Sequence, residues 1–348
     1  MNTILLGDQP VGPGHRTFLV AEVSQSHDGS LGMAHAFIDA AADAGADAIK
    51  FQTHIAAAES TLDEPFRVRF SRQDETRFAY WRRMEFSEAQ WAGLAEHARA
   101  RNLVFLSSPF SVMAVEMLAR LGVPGWKVGS GEVKSLDLLE AMLGAGGPIL
   151  LSTGMSRWEE IDEAFARLRA RGAQLVLFQC TSKYPTPLQE VGLNVLDELR
   201  RRYDCPIGLS DHSASEYPAI AAIARGCDIV ELHVTFHPRV FGPDVPASVT
   251  FEQFSRVRDA RDSFALMDAH PVDKDAMADG LSAMRNTFGK SIAPSRALPA
   301  GTALTADMLT LKKPATGIPA DQLAKLVGMK LRRDVVPGRL LNWEDLAS

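Results

Sequence analysis

Short, continuously apolar runs alternate with amphipathic stretches along most of this chain. The runs are Thr17–Val23, Ala48–Gln52, Val104–Ser107, Gly125–Val128, Ile149–Ser152, Leu175–Gln179, Ile207–Ser210 and Ile229–His233. Between them, Leu31–Ala44, Ser87–Ala100, Val112–Leu121, Arg157–Arg171, Leu193–Arg202 and Ser215–Ala224 carry apolar residues at helical spacing. A strand that is apolar at every position is buried on both faces, as in a parallel sheet covered by helices. Eight such units over about 250 residues predict a (β/α)8 TIM barrel. An open doubly wound sheet is the alternative. It would need a topological switch point, and no Gly-x-Gly-x-x-Gly follows the first run. Thr250–Met267 reads as the last barrel helix. The expected domains are therefore a barrel over 1–268, a polar linker over 269–285 and a small module over 286–348. The module has turn signals at Pro299-Ala300-Gly301 and Pro337-Gly338-Arg339. A core that small often leans on a partner surface.

Composition narrows the function classes. The chain has 348 residues, 46% of them apolar, enough for one large core and one small one. Its net charge of −6 and lack of a basic tract argue against nucleic acid. Residues 54–86 do interleave Arg67, Arg69, Arg72, Arg77, Arg82 and Arg83 with Phe66, Phe70, Phe78, Tyr80 and Trp81. Such interleaving can bind single strands, but in an acidic chain a loop that lids a site or packs on a subunit is the better expectation. Cys180, Cys205 and Cys227 are odd in number and lack paired spacing, which suggests reduced thiols. Met1–Pro13 has no signal-peptide pattern, and no run is long enough to span a membrane. The expected location is cytoplasmic.

Candidate chemistry gathers at the strand ends, where barrel active sites lie. The last two runs close on His212 and His233, which would point into one cavity. Neutral imidazole is a common ligand for a divalent transition metal, and two histidines leave positions for water and substrate. The bland alternative is two histidines that merely cap strands. Lys50 and Lys127 lie inside apolar runs, where a cation is costly unless it meets an anion. Nearby Ser130, Ser152 and Thr153 offer hydroxyls, and Gly129, Gly131 and Gly154 allow close backbone approach. Together these suit a phosphate and a carboxylate. The competing explanation is a structural ion pair of each lysine with Glu22 or Glu132, which are also acid–base candidates. Asp211 is placed to orient a histidine or reach a metal, and Asp244 reads first as a turn residue.

Taken in order, Ala21-Glu22, Gly45–Gln52, Ser108-Pro109-Phe110, Trp126–Glu132, Ser152-Thr153-Gly154-Met155, Tyr184-Pro185-Thr186-Pro187, Gly208–His212 and Gly242-Pro243-Asp244 resemble the sialic acid synthase family. Ser291–Leu298, Thr310–Pro319, Leu326-Val327-Gly328 and Asp334–Gly338 resemble that family's antifreeze-protein-like (SAF) domain. The resemblance implies condensation of phosphoenolpyruvate with the open-chain aldehyde of an N-acylated hexosamine, giving a nonulosonic acid and phosphate. It implies a divalent metal, Mn2+ first and Mg2+ or Co2+ as alternatives, and a domain-swapped homodimer. Position by position, His212 and His233 match the metal ligands. Lys50, Lys127, Ser130, Ser152 and Thr153 match the phosphoenolpyruvate pocket, with Ser210 close by. Glu22 and Glu132 match the acidic residues of the reacting centre. Gln52, Ser182, Tyr184, Asp244 and Lys313 fall on the sugar side.

Some positions depart from the family pattern. Ser26 and Ser182 stand where asparagines are usual, Leu232 replaces a lysine, and Lys313 replaces an arginine. Lysine lacks arginine's planar fork, so the last change is not conservative for a fixed polar contact. The departures fall mainly on the sugar side and predict an altered acceptor, such as a deoxy or diacylamino hexose in place of N-acetylmannosamine. Two other readings compete: a different phosphoenolpyruvate-dependent keto-acid synthase, and a non-catalytic sugar-phosphate binder.

Overall fold

The computed structural model describes residues 3–347 except Arg67, so that one of the interleaved arginines lies outside the described residues. The chain divides into two compact units, 1–269 and 270–348.

The first unit opens with an antiparallel hairpin, β1 (Ile4–Leu6) and β2 (Gln9–Val11), which the sequence pattern does not announce. Eight parallel strands follow: β3 (Phe18–Ser24), β4 (Ala48–Thr53), β5 (Val104–Pro109), β6 (Trp126–Val128), β7 (Ile149–Ser152), β8 (Leu175–Cys180), β9 (Ile207–Asp211) and β10 (Ile229–Thr235). They pair in the order β5-β4-β3-β10-β9-β8-β7-β6, and β5 and β6 lie side by side, so the barrel is nearly closed. Every apolar run of the sequence is one of these strands, and a short β11 (Val249–Thr250) pairs alongside β10.

Side chains alternate across each strand. Leu19, Ala21, Val23, Ile49, Phe51, Phe105, Val128, Leu151, Leu177, Leu209, Val230 and Leu232 pack outward against the helices. Val20, Ala48, Leu106, Leu150, Val176, Phe178 and Ile229 pack inside the barrel with Ile4, Leu6 and Val11 of the hairpin. The hairpin thus plugs the end away from the strand C-termini. One step further along the same inward rows stand Glu22, Lys50, Ser108, Lys127, Ser152, Ser210, Glu231 and His233, all buried. An apolar lower layer therefore supports a polar upper one.

The surrounding helices begin where the sequence supplies caps. Ser30, Ser111 and Thr250 accept from backbone amides three residues on, and Ser87 forms a capping box with Gln90. The interleaved segment 54–86 packs largely on itself. Ala56, Tyr80, Trp81 and Met84 form a small core with Phe66, Phe70 and Phe78 against it. Arg83 pairs with Asp28 and Asp74, and Arg77 pairs with Glu64.

In the second unit the expected linker is largely helical, over Lys274–Gly280 and Ser282–Phe288. Its polar composition reflects exposed helices, not absence of structure. Beyond it β12 (Ser291–Pro294) pairs with β13 (Leu309–Lys312), around a core that includes Ile292, Leu304, Ile318, Leu326, Leu331 and Leu341. Among the described residues no helix is long and apolar enough to cross a membrane.

Candidate active site

Buried charged side chains from four strands, β3, β4, β6 and β10, meet at the upper layer. Lys50 Nζ lies 2.9 Å from Glu22 Oε2 and 3.5 Å from Glu231 Oε1. Lys127 Nζ lies 3.1 Å from the same Glu231 oxygen and donates to Ser152 Oγ at 2.7 Å. Ser210 also donates to Glu231 Oε1, at 3.1 Å, and Lys50 donates to Ser108 Oγ at 3.2 Å. Glu231 thus bridges both lysines. Of the two partners that the ion-pair alternative named, Glu22 meets Lys50, and Glu231 stands where Glu132 was named. Glu132 is half-buried in a turn at 130–132, where its carboxylate accepts from Ser135. It lines a cleft of about 450 Å³ with Glu59, Phe110 and Asp137.

Period two explains why Glu231 belongs here. It stands two residues before His233 on the inward row of β10, so both face the cavity. A carboxylate inside the apolar run Ile229–His233 is the sequence signal that marks it. Burial by itself would raise the Glu231 pKa. Lys127 and Lys50 outweigh that and hold it down at about 2. Glu22 moves the other way: burial pushes it up, against the pull of Lys50, and the Glu231 charge adds to the rise. Two neighbouring carboxylates thereby acquire opposite proton affinities, a usual way of separating acid and base roles.

His212 and His233 come together as the strand pattern predicts, with ring centroids 5.2 Å apart. His212 Nδ1 lies 2.9 Å from the Thr181 carbonyl and must carry its hydrogen. Burial, then the neighbouring His233, lowers the His212 pKa to about 3, so the ring is neutral near pH 7. Its Nε2 lone pair faces inward, 2.9 Å from the Tyr184 hydroxyl, which donates to it. His233 Nδ1 is buried without a hydrogen-bond partner. A fixed tautomer with an available lone pair is how metal-binding histidines are prepared. Among the described residues, no group of three or more His, Cys, Asp or Glu side chains could enclose an ion. Two imidazoles are donors that suit a divalent transition metal, whose remaining positions water or ligand oxygens would have to fill. Asp211 does not orient either ring in the way expected. It accepts from the Ser213 amide and hydroxyl.

The glycine-hydroxyl turns lie beside Lys127. Ser130 Oγ accepts from the Gly154 amide at 3.1 Å and sits 3.2 Å from Cys180 Sγ. Thr153 spends its hydroxyl hydrogen on the Phe178 carbonyl, 2.8 Å away. A Cβ at Gly154 would meet Cys180 Sγ at 2.6 Å and Ser182 Oγ at 2.7 Å. Gly154→Ala is therefore expected to cost about 1–3 kcal/mol by overpacking and to displace the 152–154 turn. Urea unfolding checks the first effect; a variant as stable as the parent would show that this turn is not close-packed.

Around Glu22, Gln52 Nε2 donates to Glu22 Oε1 at 3.1 Å and Gln25 Nε2 donates to Gln52 Oε1 at 3.0 Å. Asp244 is more than a turn residue. Ser24 donates to it at 2.5 Å from a backbone with φ 50°, a conformation that non-glycine residues hold only when their surroundings impose it. Gln25 Oε1, Ser26 Oγ and Glu231 Oε2 are buried without hydrogen-bond partners, whereas Glu22 Oε2 is held by Lys50. Such a concentration of unsatisfied polar atoms suits a polar ligand. Lys313 belongs to the second unit, with its Nζ 5.3 Å over the Phe288 ring.

Comparison with known proteins agrees with this geometry. Residues 37–270 match the NeuB family model and residues 289–347 match the SAF domain. The N,N'-diacetyllegionaminic acid synthase of Campylobacter jejuni is 30% identical, over 90% of this chain and 95% of its own. The N-acetylneuraminate-9-phosphate synthase of Homo sapiens is 32% identical, over 92% of this chain and 90% of its own. The crystal structure of N-acetylneuraminic acid (sialic acid) synthetase from Leptospira borgpetersenii in complex with citrate superposes with a TM-score of 0.71 at 28% identity, covering 82% of this chain and 97% of that one. A nearly closed parallel barrel with its polar layer at the strand C-termini, followed by a SAF domain, places this chain in the NeuB family of sialic acid and related synthases.

Proposed function

We propose that the protein condenses phosphoenolpyruvate with the aldehyde form of an N-acyl hexosamine, giving a nonulosonic acid and inorganic phosphate. The observation that carries this reading is the convergence of Lys50 and Lys127 on Glu231, beside the His212–His233 pair. Glu231 bridges both lysines and Glu22 pairs with Lys50, so an anionic ligand would re-pair two buried cations, most readily when Glu22, whose pKa burial raises, carries a proton. Lys127, Ser152 and Ser130 would hold the phosphate, and Lys50, with Ser108 and Ser210 near, the carboxylate. C3 of the enol then attacks the aldehyde carbon. The lysines steady the charge that develops as water adds at C2, and phosphate leaves with C–O cleavage. Held by His212 and His233, Mn2+ or a similar divalent metal would supply Lewis acidity at the aldehyde oxygen. Glu22 and Glu132 are the candidates to move protons. Tyr184, Asp244, Gln52, Ser182 and Lys313 would contact the sugar. The same reading takes the protein as a domain-swapped homodimer, as the family resemblance implies.

The acceptor is expected to differ from N-acetylmannosamine, because Ser26, Ser182 and Lys313 depart from the family pattern. The N,N'-diacetyllegionaminic acid synthase among the relatives supports a modified sugar, and the N-acetylneuraminate-9-phosphate synthase is the competing precedent. The test is phosphate release from phosphoenolpyruvate with Mn2+ across a panel of N-acyl hexosamines, with a chelator control. Metal-dependent release with a deoxy or diacylamino sugar, at least about tenfold above N-acetylmannosamine in kcat/KM, supports both statements. That tenfold is about 1.4 kcal/mol, the worth of one or two changed polar contacts. Equal turnover of N-acetylmannosamine would overturn the altered acceptor alone. No release with any acceptor from folded protein would overturn the reaction.

A further inference from the structure

A chain of contacts leads outward from the Glu22 carboxylate. Gln52 Nε2 donates to Glu22 Oε1 at 3.1 Å, and Gln52 Oε1 lies 3.3 Å from His54 Nε2. On the far side of the ring, His54 Nδ1 lies 2.5 Å from Glu59 Oε1. The imidazole is clamped between two aromatic faces, Trp81 at 3.9 Å and Phe110 at 4.5 Å between centroids, nearly parallel to both. His54 is buried, although it stands in the loop after β4 and not in a strand. The clamp fixes the plane of the ring, and Glu59 fixes its rotation within that plane.

Hydrogen-bond chemistry decides what the ring does to Gln52. An amide oxygen can only accept, so contact with it requires a hydrogen on His54 Nε2. The proton along the Nδ1–Glu59 contact can reside at either end without changing this. Gln52 is thereby held with its oxygen toward His54 and Gln25 and its NH2 toward Glu22. The opposite rotamer would set an amide oxygen against a carboxylate and would leave the His54 donor facing NH2. One turn of the Gln52 amide therefore decides whether Glu22 receives a donor or an acceptor.

We infer that His54 is a positioning residue for the Glu22 carboxylate, acting through Gln52 from its clamp between Trp81 and Phe110. The inference rests on the proposed condensation only for what Glu22 then does. The role belongs to Nε2: the contact with Glu59 steers the ring, and the contact with Gln52 transmits the orientation.

Two substitutions separate the nitrogens. The amide of glutamine reaches the place of Nε2, whereas that of asparagine stops near Nδ1. His54→Gln should keep kcat within about threefold of the parent. His54→Asn should lower kcat about tenfold while KM for phosphoenolpyruvate stays within about twofold, because Lys50 and Lys127 are untouched. Equal kcat in the two variants would overturn the inference and leave the condensation standing. If the parent protein releases no phosphate with any acceptor, the condensation itself fails. The inference is then decided by crystal structures of the two variants. Rotation of the Gln52 amide off Glu22 in His54→Asn, with retention in His54→Gln, supports it. An unmoved Gln52 in both overturns it. If His54→Asn does not fold, Glu59→Gln carries the same crystallographic test from the outer end of the chain, with a displaced His54 ring supporting the steering role and an unmoved one opposing it.

Discussion

Glu231→Ala is expected to destabilise the barrel by about 3–5 kcal/mol, the usual cost of leaving a buried ion-pair partner uncompensated. Its carboxylate oxygen is within 3.5 Å of Lys50 and 3.1 Å of Lys127, and both lysines are buried. Lys50 keeps Glu22. Among the described residues, Lys127 keeps the Ser152 hydroxyl and the Phe178 ring face, 4.8 Å from its Nζ. Inorganic phosphate should restore part of the loss, because an anion that binds only the folded chain stabilises it by mass action. Urea unfolding of parent and variant, with and without phosphate, reads both effects. A loss below about 1 kcal/mol, unaffected by phosphate, would mean that the two lysines are not mutually dependent on this carboxylate.

The same residue sets an acid limb. Glu231 titrates at about 2 in the folded chain, against an ordinary 4.5. The unfolded chain therefore takes up this proton first as pH falls. The stabilisation is complete above pH 4.5 and is lost between there and about pH 2. Glu22, raised by burial, has the opposite sign and favours the folded state at low pH. The gap in stability between the parent and Glu231→Ala should accordingly narrow as pH drops from 5 to 3. A gap independent of pH would show that the variant loses packing and not charge pairing.

The second large effect is expected at His212. If the histidine pair holds the metal of the proposed reaction, His212→Ala should lower phosphate release by about 10²–10⁴-fold, since the metal's Lewis acidity is worth several kcal/mol at the transition state. Folding should survive. The ring packs against Tyr184 and bonds one carbonyl, and it is not part of the apolar core. A chelator should reproduce the loss in the parent and Mn2+ should reverse it, whereas Mn2+ should do little for the variant. Circular dichroism would confirm the fold. Unchanged turnover in His212→Ala would remove the metal assignment and return both histidines to a structural role.

Much of this was legible because a parallel barrel imposes one repeated pattern. Each strand is buried on both faces, so the eight runs stand out by continuous apolarity. Their polar ends mark the open side of the barrel. The hairpin Ile4–Val11 escaped because its strands are three residues each, too short for any period to register. The helical stretch 274–288 escaped because an exposed helix can look like a polar linker. Glu231, not Glu132, bridges the lysines because the inward row of β10 reaches them, whereas the turn at 130–132 points the Glu132 carboxylate to Ser135.

Sequence alone determined the strands, the order of the domains and which polar residues stand at the open end, because periodicity is local and each strand end is fixed by its own neighbours. Only the tertiary structure decided the pairings: Glu231 with both lysines, Ser24 with Asp244, and His54 with Trp81 and Phe110. Those contacts depend on strand register and loop paths, which bring together residues far apart in the chain, and no local pattern encodes them.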